Sequence, residues 1–265
     1  MRLYVELARR SFRQQLTYRG AALAGLFTNS IFGLMIAGVY MGVYASEDPA
    51  GDVVVRGWSA DETLTLVWIN QSLLMTVYMW GWWEVIRTIQ SGSIVTDLLK
   101  PMDFLSYWLS RDLGRAAAHF LIRGLPTFAV GNLFFDLLPP GYVLRWGAFM
   151  LSILFAVVVS FLFRFMLNLA GFWIFDHRGL NYVAMASLNL LSGFLIPLAF
   201  FPGPLRALAD ALPFRAIIMI PNEIYLGQIS MFQGLGLQIG WIAIMVLGAR
   251  WIMSRGEKKV VIQGG

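Results

Sequence analysis

The side chains able to do chemistry in this chain are few and widely scattered. The two histidines, His119 and His177, lie far apart, and neither has the spacing that gathers metal ligands. Cysteine is absent, so there is no disulfide, thiolate site or Cys nucleophile, and the redox compartment stays open. A nucleotide-binding P-loop requires G-x-x-x-x-G-K-[ST], with the lysine on the phosphates and the hydroxyl on Mg²⁺. The three lysines are Lys100 before Pro101, Lys258 before Lys259, and Lys259 before Val260. None fits. G-x-S-x-G is also absent, which argues against hydrolysis by a serine at a nucleophile elbow. What remains is a set of amides within apolar stretches: Asn29, Asn70, Gln71, Asn168, Asn181 and Asn189. Such groups join helices inside a membrane at about 1 kcal/mol or less each. Asn70 and Asn189, together with Phe194, are the candidates for lining a substrate path. His119 and Arg123, four residues apart, share one helical face and read as interfacial anchors.

The elements that must hold these residues are set by charge. Only 13% of the 265 residues are charged and 58% are hydrophobic, against about 25% charged in a soluble domain. That composition excludes an ordinary soluble enzyme, and no Lys/Arg-dense run marks a nucleic-acid patch. Uncharged stretches run from Gly20 to Ser46, Thr63 to Trp83, Gly179 to Leu205 and Ile224 to Ala249. Each exceeds the roughly 20 residues that cross a hydrocarbon core. Trp146 to Phe175 is interrupted only by Arg164, which is placed to snorkel to an interface. Ala116 to Leu138 contains His119, Arg123, Pro126 and Asp136 and is the weakest span. The expected fold is all-α and polytopic, a single transmembrane domain over 1–265 with six membrane helices. Their expected limits are about 21–44, 63–84, 116–138, 146–172, 179–201 and 233–253.

With the N-terminus inside, sixteen of the twenty Lys and Arg residues fall on the cytoplasmic side. The bias places both termini in the cytoplasm. An acidic outer loop, with Glu47, Asp48, Asp52, Asp61 and Glu62, agrees. Residues 1–19 read as an amphipathic helix lying at the lipid surface, with Arg2, Glu6, Arg9 and Arg13 on one face. Residues 202–232, broken by Pro202, Pro204, Pro213 and Pro221, read as two short helices dipping into the outer leaflet. Tyr78, Trp80, Trp82 and Trp83 read as an aromatic belt.

Residues 86–112 form the cytoplasmic segment after the second span. Within it, Ile89, Ile94, Leu98 and Leu99 are aliphatic, Gly92 permits a turn and Ser93 can cap a short helix. The stretch ends in Leu98-Leu99-Lys100-Pro101. This segment, with the basic N-terminal helix, the six spans and the Pro-broken stretch before the last one, resembles the permease subunits of ABC-2-type ABC transporters. The branch of about 260 residues is the most similar, and the likeness covers the whole chain. The resemblance implies an exporter subunit that pairs with a second permease, the same chain or a similar one. It implies two copies of a separate cytosolic ATPase, which bind the ATP and Mg²⁺, so this chain binds no cofactor or metal and is not itself an enzyme. It implies the plasma membrane of a prokaryote, the inner membrane in a Gram-negative cell. Ile89, Gly92, Ser93, Ile94, Leu98, Leu99, Lys100 and Pro101 would then touch the ATPase. An ion-gradient-driven carrier and a membrane-embedded lipid-modifying enzyme are the alternatives. Acidic residues inside the spans would favour the first, and clustered acidic or His residues the second.

Overall fold

The computed structural model describes residues 2–47, 54–77 and 81–259. These residues form helices, with no strand among them. Helix α1 (Arg2–Thr17) turns directly into α2 (Arg19–Glu47). Tyr4, Leu7, Ala8, Ser11 and Gln15 recur at helical spacing and are half-buried, whereas Arg2, Arg9, Arg10 and Arg13 are exposed. The half-buried face packs on α6 (Phe104–His119). Gly114 makes this possible, because a Cβ there would collide with the Ala8 carbonyl. The N-terminal helix is therefore fastened to the bundle by its less polar side.

Helix α3 (Ala60–Val77) opens with a reciprocal cap. The Ser59 amide donates to Glu62 Oε2 at 2.8 Å and the Glu62 amide to Ser59 Oγ at 3.2 Å, as expected of S-x-x-E. Glu62 also accepts from Gln228 Nε2 at 2.6 Å. The helix is short of the expected 63–84 limit, for residues 81–83 are not helical, Gly81 having φ +65°, and a new helix, α4 (Glu84–Gln90), begins after them. Trp82 and Trp83 lie in this stretch. Trp82 packs edge-on to Trp108 at 5.5 Å and Trp83 lies against His177 at 4.8 Å, tilted by 39°, and both indoles are half-buried. Tyr78 and Trp80 lie outside the described residues, as do Asp48 and Asp52.

After α5 (Ile94–Leu98), helix α6 runs without a break through a π turn, Phe120–Gly124, into α7 (Leu125–Phe134). Pro126 has no N–H to give the Ile122 carbonyl, which removes one α-type bond. The Leu125 amide instead reaches the Phe120 carbonyl. The third apolar stretch thus belongs to a helix that starts twelve residues before the expected 116. Helix α8 (Val143–Leu169) forms the spine, with Phe161, Leu162, Phe165 and Leu169 buried, and α12 (Met231–Gly256) lies along it. Gln238 of α12 donates to the Ser152 and Ala216 carbonyls at 3.0 and 2.9 Å.

Residues 179–201 are not one helix. Helix α9 (Arg178–Leu191) stops before Gly193, whose φ is +81°, and Pro197 prevents its resumption. In the stretch after it, α10 (Gly203–Asp210) and α11 (Met219–Leu226) flank a 3₁₀ turn, Pro213–Ala216. Pro204 and Pro213 sit at the starts of these elements, and Pro221 sits in the first turn of α11, where its missing donor costs nothing. Arg215 clamps the segment, meeting Asp210 at 3.0 Å and Glu223 at 2.8 Å. Among the described residues, three helices, over Arg19–Ser46, Val143–Phe172 and Met231–Lys259, are long and apolar enough to cross a membrane.

Candidate functional site

A helix end inside a bundle leaves carbonyls that need donors. The end of α3 finds them on neighbouring helices. Arg115 of α6 donates Nη1 to the Met75 carbonyl at 2.7 Å and Nη2 to the Thr76 carbonyl at 3.1 Å. Ser160 of α8 donates to the Val77 carbonyl. A guanidinium at a helix C-terminus also complements the dipole. Asp112 holds Arg115 from the side at 2.8 Å and grips Arg164 of α8 at 2.9 and 3.3 Å. Arg164 does not snorkel: its side chain is 4% exposed. A charge inside an apolar helix needs a partner, and here it comes from the preceding long helix.

The same network fixes the start of α4. Asn168 Nδ2 donates to the Trp82 carbonyl at 2.8 Å, and its Oδ1 accepts from the Ile86 amide at 3.0 Å. It thereby caps α4 from another helix, since Trp83 at the N-cap offers no side-chain bond. The Arg164 guanidinium sits 5.6 Å from the Trp82 ring. Glu84 meets Arg111 at 3.0 Å. Gly171 lets the end of α8 approach, for a Cβ there would run into Ile86. Beyond Gln90, Gly92 turns the chain with φ +73°, and Ser93 stands at the N-cap of α5, its hydroxyl bonded to Ser91 Oγ at 2.8 Å.

The four aliphatic residues of this segment do not form one exposed surface. Ile94 is 1% exposed, and Ile89 and Leu98 are half-buried against the core, whereas Leu99 is 80% exposed. Gly92, Ser93, Lys100 and Pro101 are exposed with it. Asp97 accepts from Lys100 Nζ at 2.6 Å, and that hydrogen bond raises the pKa of the lysine. Beside Leu98 opens a cavity of about 320 Å³, lined also by Met102, Asp103, Arg250 and Glu257.

Of the candidate path residues, Asn70 and Phe194 come together. Asn70 Nδ2 donates to the Phe194 carbonyl at 3.1 Å and the Gly193 carbonyl at 3.3 Å, while Oδ1 accepts from Asn222 at 2.8 Å. The amide is 1% exposed and clasps the broken end of α9. Asn189 is half-buried, one turn earlier on α9. The residues that sequence reasoning passed over are Asp112, Arg115 and Ser160. An acid and a base three apart, the spacing of neighbours on a helix face, were the available signal for the first two.

A family model described as ABC-2 family transporter protein matches residues 35–264. Comparison with curated proteins and with solved structures gives no match. The family's members are membrane-transport components rather than catalysts in themselves, and membership implies association with an ABC ATPase. With most of its length matched and its described residues all-helical, three of the helices long enough to cross a membrane, the chain belongs to the ABC-2 family of transporter proteins.

Proposed function

We propose that the chain is the permease subunit of an ABC exporter in a prokaryotic plasma membrane. It pairs with a second permease, of the same or a similar kind, and is driven by two cytosolic ATPase subunits. The observation that carries this reading is the anchored α4–α5 segment. Its root is tied to α8 by Asn168 and to α6 by the Glu84–Arg111 ion pair, while its far side presents Gly92, Ser93, Leu99, Lys100 and Pro101 to a partner. Ile89, Ile94 and Leu98 back that surface from within. A segment so held can pass a push from an ATPase into the bundle. In this reading α2, α3, α6–α7, α8, α9 with the stretch after it, and α12 make six crossings, with both termini cytoplasmic and α10–α11 re-entrant from outside. Asn70, Asn189 and Phe194 stand along the path between them.

Purification of the tagged chain from its own cells in mild detergent tests the assignment. An ABC ATPase should accompany it and hydrolyse ATP in the complex. If the folded permease repeatedly comes out with no ATPase, the reading fails.

A further inference from the structure

On α6 and the π turn, Arg111, Arg115, His119 and Arg123 follow one another at intervals of four. In a pure α-helix such a row drifts around the axis. The π turn over Phe120–Gly124 advances more slowly per residue and returns Arg123 to the common face. All four line one cavity of about 390 Å³ between α6, the joint of α1 and α2, and the end of α3. That volume lies in the range of small-molecule sites, about 300–1,000 Å³. Ser11, Gln14 and Gln15 of α1 close its other wall.

The charges on this wall do not balance locally. Its two carboxylates are taken, Glu84 by Arg111 at 3.0 Å and Asp112 by Arg115 and Arg164 at 2.8 and 2.9 Å. Arg123 has no ion-pair partner among the described residues. Its Nε and the Nδ1 of His119 are both buried without a hydrogen-bond partner. Its guanidinium lies flat on α2 at Gly25, where there is no room for a Cβ. A half-buried guanidinium without an anion gives up hydration that nothing replaces, and its planar fork matches the oxygens of a phosphate. Next to it Ile122 lines the cavity and Leu121 and Leu125 are exposed, 50% and 46%, an apolar margin suited to an acyl chain. A helix carrying a π turn often marks a functional position.

We propose that this cavity binds a phosphate group, held by Arg123 and His119, between the N-terminal helix and α6. The phosphate can arrive on a membrane lipid or as a soluble ester, and the chemistry of recognition is the same. The site requires only the membrane-embedded bundle and is independent of ATPase coupling.

Native mass spectrometry of the purified, delipidated permease tests it, with phosphatidylglycerol as one probe and glycerol 3-phosphate as the other. Wild type should retain one lipid per chain, and Arg123→Gln should weaken that retention about tenfold or more, as the loss of a charge-assisted pair implies. Gly25→Val, which keeps every charge but takes the seat of the guanidinium, should weaken it too. Arg13→Gln, on the exposed face of α1, should leave it unchanged. Retention of glycerol 3-phosphate alone would assign a soluble ligand, and retention of phosphatidylglycerol alone a lipid. If neither probe is retained, or if Arg13→Gln weakens binding as much as Arg123→Gln, the proposal is overturned. Should Arg123→Gln fail to fold, His119→Gln with Gly25→Val decides by the same criterion. The permease is tested without its ATPase, so a failed co-purification leaves this result standing.

Discussion

Asp112 is one carboxylate between two guanidiniums, Arg115 and Arg164, and removing it leaves Arg164 buried beside a like charge. Breaking a buried ion pair from one side costs about 3–5 kcal/mol. Asp112→Ala should therefore lower the thermal unfolding midpoint in detergent sharply, and Arg164→Met in the same chain should recover much of the loss. An unchanged midpoint for the single variant would show that the pair contributes nothing to the fold. The surface of the proposed coupling segment divides the same way. Leu99→Asp leaves the permease folded, because that residue is exposed, and should strip the ATPase from the purified complex. Ile94→Asp, with its residue buried, should instead cost several kcal/mol of stability and be seen as loss of the monodisperse peak. Full ATPase recovery with Leu99→Asp would remove Leu99 from the docking surface. The sequence exposed Arg164 as an oddity but not its partner, because several acids, Glu84, Asp97, Asp103 and Asp112, precede it at loop or helix positions. Only the packing of α6 on α8 selects among them.

At the scale of elements, the apolar stretches for α2, α8 and α12 were legible from the absence of charge, since a long uncharged run has no other use at that length. The break after α9 was harder to see: Gly193 and Pro197 sit within an uninterrupted apolar run, and hydropathy does not register φ. The same blindness hid the continuity of α6 with α7, where the expected span began at Ala116, partway along what is one helix with a π turn. The packing of α1 hangs on a single residue. Gly114→Val would thrust a side chain into the Ala8 backbone, and overpacking of this kind costs about 1–3 kcal/mol. Helix α1 should lift from α6 and, without that support, unwind locally, so that trypsin cuts faster at its already exposed Arg9, Arg10 and Arg13. Faster cleavage there, with the rest of the bundle intact, is the expected outcome; an unchanged rate would mean that α6 shifts instead.

At the scale of the whole molecule, the lopsided Lys/Arg distribution predicts an orientation with both termini cytoplasmic, and the absence of cysteine lets that expectation be tested directly. A cysteine at Leu208, exposed on α10, should react with an impermeant thiol reagent in intact cells. Cysteines at Ser93 and Lys258 should react only after lysis. Labelling of Ser93→Cys from outside would invert the topology. The bundle also keeps time at one backbone atom. The Ile86 amide stands in the first turn of α4, where helix amides ordinarily face water and trade their hydrogen within moments. Here it gives that hydrogen to Asn168 deep between helices, so deuterium can enter only when α4 parts from α8. A slow amide among fast neighbours would thus count, opening by opening, how often α4 comes away from α8.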